Sequence, residues 1–266
     1  MTPAITYLFV PGDRPERFAK AMASGADRIV LDLEDAVQPD QKAPARRSIL
    51  DADLNWQRVV IRINDAASPF FADDLKFLTR CQAGAVLLPK AETPDMLLTV
   101  AAGCGRAVEL LPLVETARGL ANLPAILSTE GVSRAVFGHL DFALDLGCST
   151  DWSSLLFVRT QMVFQSRLAN VLQPVDGITT NLKNADAAQA DAKSARLLGF
   201  GGKLLIHPAQ VAPVAAAFAP TLEEVTWAKR VIAAMDGQAG AVALDGKMID
   251  KPVKEAALRI LARAKV

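Results

Sequence analysis

The chain of 266 residues is poor in several features that would place it in a specialised class. Its three cysteines, Cys81, Cys104 and Cys148, are odd in number and widely spaced, which fits neither a disulfide framework nor a zinc site. Aromatic residues make up 6% of the chain and the formal net charge is zero. These values predict neither a platform for stacking bases nor a basic surface for nucleic acid.

The sequence also lacks the segments that target proteins to membranes. No apolar run is long enough to cross a bilayer. The first residues, starting Met1-Thr2-Pro3, contain no basic stretch followed by an apolar one, so no signal peptide is predicted. We therefore expect a cytoplasmic protein whose partners include neither nucleic acid nor a membrane.

What the chain does contain is a regular alternation of apolar segments. Hydrophobic residues make up 51% of it, enough for a large core at this length. Strand-like runs alternate with helix-like segments eight times, from residues 7–10 to residues 204–206. This order predicts a (β/α)8 TIM barrel over residues 1–217. A doubly wound open sheet is the alternative, although the first strand is not followed by G-x-G-x-x-G.

The pattern changes in the last part of the chain. Residues 218–266 form a separate extension. Near its start, Thr221 and Glu224 have the spacing of a helix capping box. The pair Asp245-Gly246 favours a hairpin turn, and a final helix is predicted over residues 254–264. This C-terminal helical and hairpin extension exceeds what a barrel needs, so we expect it to pack on a neighbouring subunit.

Polar residues cluster where the predicted strands end, which is where TIM-barrel active sites lie. The stretch at residues 30–37 reads Val-Leu-Asp-Leu-Glu-Asp-Ala-Val and places Asp32, Glu34 and Asp35 at the end of a buried strand. It indicates either an active-site rim or a solvated acidic turn. The other candidates are Asp13, Arg14, Arg62, Asn64, Lys90, Glu92, Glu115, Asp141, Asp176 and His207.

Carboxylates without clustered histidines or thiolates favour a hard cation such as Mg²⁺. Glu115 and Asp141 follow the fifth and sixth predicted strands. Neighbouring strands lie about 4.8 Å apart, so one ion is within reach of both carboxylates. The alternative is that each forms a salt bridge at the rim.

Arg62 interrupts an otherwise apolar strand, and a buried guanidinium needs a partner. That partner is either Asp32 or Glu34, in a buried ion pair, or a substrate carboxylate held in bidentate fashion. His139 and His207 fit a hydrogen-bonded rim residue better than a general base. The remaining cations either have a functional role or are only solvated charges on helix surfaces. They are Lys20, Lys42, Arg46 and Arg47.

Several short motifs occur together in a recognisable order. They are Leu-Phe-Val-Pro-Gly-Asp-Arg-Pro-Glu-Arg, Leu-Asp-Leu-Glu-Asp-Ala-Val, Arg-Ile-Asn, Leu-Pro-Lys-Ala-Glu, Glu-Thr-Ala, Phe-Gly-x-x-Asp, Ile-His-Pro and Gly-Lys-Met-Ile-Asp-x-Pro. With this ordered set the chain resembles the citrate lyase β-subunit-like group of the HpcH/HpaI aldolase superfamily over nearly its whole length. The resemblance implies a TIM barrel that binds Mg²⁺.

The resemblance also implies roles for individual residues. Glu115 and Asp141 correspond to the metal ligands, and Glu115 also contributes to substrate binding. Arg62 corresponds to the arginine that binds the substrate. Asp250, in the tail motif, corresponds to an acid/base that relatives deliver into the neighbouring subunit, which implies a homo-oligomer, often a trimer or hexamer. Phe9, Lys20 and His207 lie near positions that contact the thioester carrier. Asp32, Glu34 and Asp35 are then expected to support the metal site rather than bind the metal.

The activity implied is Mg²⁺-dependent cleavage or formation of a carbon–carbon bond in a 3-hydroxyacyl thioester such as citramalyl-CoA or malyl-CoA, giving a 2-oxoacid and acetyl-CoA. The first alternative is a citrate lyase β subunit acting on a citryl group attached to an acyl carrier protein. The second is a non-catalytic barrel that serves as a binding module. Two segments depart from the family pattern, at Asn181 and at His139-Leu140, and these changes bear on which thioester fits.

Overall fold

The computed structural model describes residues 3–182, 184–237 and 240–264. Its contacts divide the chain into two compact units, residues 3–215 and a C-terminal unit that begins at Ala216. No helix in these ranges has the length and apolar character needed to span a membrane.

The first unit is a closed barrel of eight parallel strands in sequential order, so the open-sheet alternative is wrong. The strands are β1 (Thr6–Pro11), β2 (Arg28–Asp32), β3 (Val59–Arg62), β4 (Ala85–Leu88), β5 (Glu109–Val114), β6 (Val136–Phe137), β7 (Val175–Asp176) and β8 (Gly202–Leu205). The barrel closes where β8 pairs with β1, with Thr6 opposite Lys203.

Helices connect these strands around the outside of the barrel. They are α1 (Phe18–Met22), α2 (Lys42–Leu50), α3 (Phe71–Leu78), α4 (Pro94–Cys104), α5 (Ala117–Ala121), α6 (Leu123–Leu127), α7 (His139–Leu146), α8 (Leu156–Leu168), α9 (Ala185–Leu198) and α10 (Val211–Phe218), whose last residues belong to the second unit. Gly199 ends α9 in the left-handed region at φ 114°, where a residue without a β-carbon is favoured.

Alternate strand residues fill the barrel interior. This cluster consists of Tyr7, Val30, Val60, Ala85, Leu87, Leu111, Leu113, Val136, Val175 and Leu204. The two-residue period of a strand sends the intervening side chains toward the helices. The packed interior leaves the carboxyl ends of the strands as the place where polar groups gather.

The C-terminal unit has its own small core. It contains α11 (Leu222–Ala234), β9 (Val242–Leu244), β10 (Lys247–Ile249) and α12 (Lys251–Ala264). The predicted capping box of Thr221 and Glu224 is present. The predicted hairpin is present too, and Asp245 and Gly246 at its turn both have positive φ. The hairpin and both helices pack through Ala228, Val231, Met235, Ile249 and Ala257.

Candidate active site

Arg62 organises the acidic end of β2. Its Nε and Nη2 donate to the two carboxylate oxygens of Asp32 at 2.7 and 2.6 Å, a bidentate pair that the register of β2 against β3 sets by placing the two residues opposite each other. The guanidinium also stacks over the Phe9 ring, 4.8 Å from its centroid. Of the alternatives that the sequence left open for Arg62, the structure thus contains the buried ion pair, with Asp32 as its partner.

Glu34 is the less well satisfied partner of this arginine. Its Oε2 lies 2.8 Å from Arg62 Nη1, but the N–H is misaligned and the buried oxygen has no hydrogen-bond partner among the described residues. Burial raises the pKa of Glu34 to about 8, Arg62 opposes this rise, and Asp35 and Glu115 add to it. Asp35 itself is largely exposed. The acidic strand end thus contains one carboxylate, Asp32, in a bidentate pair, and one, Glu34, with a buried oxygen that accepts no hydrogen bond from the described residues.

Glu115 follows β5, and its side chain is held by the backbone of the loop after β4. Its Oε1 accepts a hydrogen bond from the Lys90 N–H at 2.7 Å. Lys90 has φ 46°, a conformation that costs a residue with a β-carbon about 1–3 kcal/mol and is kept only where the surroundings enforce it. A β-carbon on Gly138 would collide with the Glu115 carboxylate. The loops after β4 and β6 therefore fix this side chain from both sides.

Glu115 and Asp141 line one cavity of about 350 Å³ at the mouth of the barrel. Asp141 lies in the first turn of α7, directly after β6. The cavity is also lined by Arg62, Asp32 and Asp35, and its remaining walls are largely apolar, formed by Phe9, Ala36, Leu113, Phe137, Gly138, His139, Leu140, Ile178, Leu204 and Ile206.

The donor set of this cavity fits Mg²⁺. Burial raises the pKa of Glu115 to about 7; the Lys90 N–H opposes the rise and the charge of Asp141 adds to it, so a cation between the two carboxylates would relieve their repulsion. Nowhere in the described residues do three or more His, Cys, Asp or Glu side chains form a metal-binding group. Two carboxylates suffice for Mg²⁺, which usually completes its shell with water and substrate oxygens.

A second cavity, of about 490 Å³, adjoins the first. Both are lined by Phe9, Asp32, Ala36 and Ile206, and the second extends over Lys20 and His207. His207 precedes a short 3₁₀ turn, and its Nδ1 accepts a hydrogen bond from the Ala209 N–H at 3.1 Å. The structure thus brings together the three residues that the resemblance placed near the thioester carrier.

Asp176 does not belong to the rim, although its position at the end of β7 suggested it. The side chain is buried, and its oxygens pair with Arg159 Nε at 3.0 Å and Lys203 Nζ at 3.2 Å. These two cations outweigh burial and lower its pKa. Beside this cluster, burial lowers the pKa of His139 to about 4, Asp176 opposing the shift. His139 is a neutral ring at neutral pH, and it lines the cavity.

Asp250 lies in the C-terminal unit, between β10 and α12. It is half-buried, and its Oδ1 accepts a hydrogen bond from the Val253 N–H at 3.3 Å. Its position at the start of a helix is one that aspartate and asparagine fill equally well.

The sequence does not reveal that two cations of α2, Lys42 and Arg46, are buried. Lys42 is buried and its Nζ donates to the carbonyl oxygens of Leu33 and Glu34 at 2.8 and 3.0 Å. Arg46 is also buried and pairs with Asp74 Oδ1 at 2.6 Å. The solvated reading of these two residues is therefore wrong. An alternation of charged and small residues along α2 contains no signal for these contacts, because the partners lie on other elements.

Taken together, these features define a βα-barrel protein whose mouth places two carboxylates suited to a hard cation beside an arginine suited to an anion. The sequence pattern of the family HpcH/HpaI aldolase/citrate lyase matches residues 6–208. The chain belongs to this family.

Individual relatives agree with this assignment. A citrate lyase subunit beta-like protein from Mycobacterium tuberculosis is 34% identical, over 97% of this chain and 94% of the relative. A mitochondrial citramalyl-CoA lyase from Rattus norvegicus is 31% identical, over 98% of this chain and 86% of the relative. The crystal structure of protein CitE from M. tuberculosis in complex with magnesium, acetoacetate and coenzyme A matches with a TM-score of 0.91 and 34% identity, covering 99% of this chain and 98% of that one.

The raised pKa of Glu34 predicts how the metal-free protein responds to pH. Between pH 4.5, its ordinary value, and about 8 the folded protein holds a proton that the unfolded chain has released. The free energy of unfolding therefore falls as pH rises through this window. In EDTA we expect the melting temperature to drop by several degrees from pH 5 to pH 8, and Glu34→Gln to reduce that drop. The exposed Glu130→Gln is the control, and an equal drop in all three proteins would contradict the assignment.

Proposed function

We propose that this protein catalyses the reversible, Mg²⁺-dependent cleavage of a 3-hydroxyacyl-CoA thioester to a 2-oxoacid and an acyl-CoA such as acetyl-CoA. The observation that carries the proposal is the single cavity lined by Glu115, Asp141 and Arg62. The names of the relatives point to the same chemistry, since one is a citramalyl-CoA lyase and a solved neighbour holds magnesium with coenzyme A.

Different residues would bind the metal ion, the substrate carboxylate and the thioester carrier. Glu115 and Asp141 would hold Mg²⁺, which when bound supplies a Lewis acid that polarises the carbonyl of the 2-oxoacid half. Arg62 has five N–H groups, of which two donate to Asp32 and one lies beside Glu34. The others remain to orient a substrate carboxylate. The cavity lined by Phe9, Lys20 and His207 would take the carrier of the thioester.

As the carbon–carbon bond breaks, the 3-hydroxyl group loses its proton and becomes the carbonyl of the 2-oxoacid, and the thioester enolate that leaves is protonated at carbon. We assign the proton transfer to Asp250, whose carboxylate would take up the hydroxyl proton and deliver it to the enolate carbon. In the condensation direction the same carboxylate would remove the proton from that carbon. Because Asp250 belongs to the C-terminal unit, we infer a homo-oligomer in which one subunit supplies Asp250 to the barrel of another.

An exposed apolar face supports such an assembly. Phe157, Phe164 and Leu168 are each more than half exposed and follow one another along α8 at spacings of seven and four residues, which place them on one side of a helix. Exposed apolar surface of this kind is typical of subunit interfaces.

A panel assay tests the proposed activity. Pyruvate, glyoxylate and oxaloacetate are each offered with acetyl-CoA and with propionyl-CoA in the presence of Mg²⁺, and acyl-CoA products are resolved by mass spectrometry. We expect a 3-hydroxyacyl-CoA from at least one pair, and no product in EDTA. If no pair gives product while the protein still binds Mg²⁺ and a 2-oxoacid, and an acyl carrier protein copurifies with it, the citrate lyase β-subunit alternative is favoured. If no 2-oxoacid binds in the presence of Mg²⁺, the non-catalytic alternative holds.

A further inference from the structure

We propose that His139 selects the 2-oxoacid, forming a hydrogen bond with a hydroxyl or carboxylate oxygen on that acid's side chain. The inference rests on the proposed function and deepens it, because it names the group that this wall of the cavity recognises.

The first observation is a polar ring without a partner. His139 is 8% exposed and lines the cavity that contains Glu115 and Asp141. Its ring nitrogens form no hydrogen bond with any described residue, and the charged groups behind it, Asp176 and Lys203, are paired with each other. An apolar ligand group that covered the ring would leave a polar group buried and unpaired, at a cost of about 1–3 kcal/mol, so a ligand oxygen at this position would be favoured over an apolar group.

The second observation is that the ring is held rigidly. A β-carbon on Gly177 would collide with His139 Nδ1, so the ring packs directly on the backbone that follows β7. On its other side lies Phe137, with the two ring centroids 6.2 Å apart. Because its position is set by packing, the imidazole can discriminate between ligands without first paying the entropy of being ordered.

The third observation concerns the surroundings of the ring. Phe137, Leu140, Ile178 and Leu204 line the same cavity and offer no hydrogen bond. The polar ring of His139 thus lies among apolar side chains, which favours an oxygen-bearing ligand over a plain methyl group at this wall.

The position of His139 beside Glu115 and Asp141 assigns this wall to the 2-oxoacid half of the substrate. The carrier cavity is lined by residues of β1, α1 and the segment after β8, including Phe9, Lys20 and His207. His139 follows β6 between Gly138, which packs against the Glu115 carboxylate, and Asp141. It lines the cavity that contains these two carboxylates and does not line the carrier cavity. A 2-oxoacid bound at Glu115 and Asp141 would therefore meet His139 with its side chain, while the thioester would extend into the carrier cavity.

Binding of near-isosteric acids to the Mg²⁺-loaded protein tests the inference by calorimetry. Wild-type protein is expected to bind 3-hydroxypyruvate and oxaloacetate about tenfold more tightly than 2-oxobutyrate, the ratio that one hydrogen bond of ordinary strength produces. His139→Phe keeps a ring and removes the hydrogen bond, so this ratio should fall to about one while pyruvate binding stays within about twofold. His139→Asn keeps a donor and should retain much of the ratio.

Gly177→Ala provides a second route, because it displaces the ring while keeping the histidine, and it should lower the ratio as His139→Phe does. Melting curves establish that each variant is folded. A ratio that is unchanged in His139→Phe, or a wild-type protein without any preference, overturns the inference and leaves the proposed function standing. If no 2-oxoacid, pyruvate included, binds to wild-type protein in the presence of Mg²⁺, both the inference about His139 and the proposed function fail.

Discussion

Glu115→Gln is expected to weaken Mg²⁺ binding by more than about a hundredfold, beyond the effect typical of residues that only support a metal ligand. The substitution preserves size, and the amide oxygen can still accept the Lys90 N–H that now binds Glu115 Oε1. The loss would therefore reflect the missing charge and not a rearranged loop. Calorimetric titration with Mg²⁺ measures it.

Glu34→Gln is the matched comparison, because Glu34 is also buried and also has a raised pKa. It contacts Arg62 and does not line the cavity that contains Glu115 and Asp141. We therefore expect Mg²⁺ affinity to fall by no more than about ten- to a hundredfold, the range typical of residues that only support a metal ligand. If Glu34→Gln instead costs more affinity than Glu115→Gln, the metal lies at the end of β2 and the roles of the two carboxylates are exchanged.

Asp250→Asn is expected to lower turnover by at least about a hundredfold, within the range attributed to general acid–base groups, while Mg²⁺ binding and the melting temperature stay unchanged. Asparagine caps a helix as well as aspartate does, so the hydrogen bond from the Val253 N–H survives. Steady-state kinetics on the best thioester from the panel assay measures the effect. Wild-type turnover in this variant would contradict the acid/base role.

Mixing two inactive variants tests whether Asp250 acts across subunits. Coexpressed Asp250→Asn and Glu115→Gln chains would form mixed oligomers in which about a quarter of the sites combine an intact barrel with an intact Asp250 from a neighbour. Activity recovered in the mixture supports that arrangement. Activity absent from proven mixed oligomers shows that each subunit uses its own Asp250.

Much of the architecture followed from the order of apolar segments. The eight-fold alternation of strand and helix predicted the closed barrel, because parallel strands joined by helices have few other ways to bury both faces. The same pattern placed Glu115 and Asp141 at the ends of β5 and β6, and those positions now line one cavity. The resemblance of ordered motifs added Mg²⁺ and the thioester chemistry, which periodicity alone does not specify.

Contacts between distant segments could not be predicted in the same way. Arg62 had two possible partners in the sequence, and the register of β2 against β3 selected Asp32 as the bidentate one. Lys42 and Arg46 resembled solvated helix charges, yet α2 turns both toward buried oxygens. Burial depends on which elements pack together, and a local pattern of charges carries no information about that.

The sequence by itself determined the repeating strands and helices of this protein and the polar residues that end its strands, because hydrophobic periodicity and side-chain chemistry are local properties. Only the tertiary structure decided which of those residues meet. It buried Asp176 between Arg159 and Lys203, and it left the His139 ring unpaired against the cavity. The reason is that desolvation and ion pairing depend on distances between residues far apart in the chain.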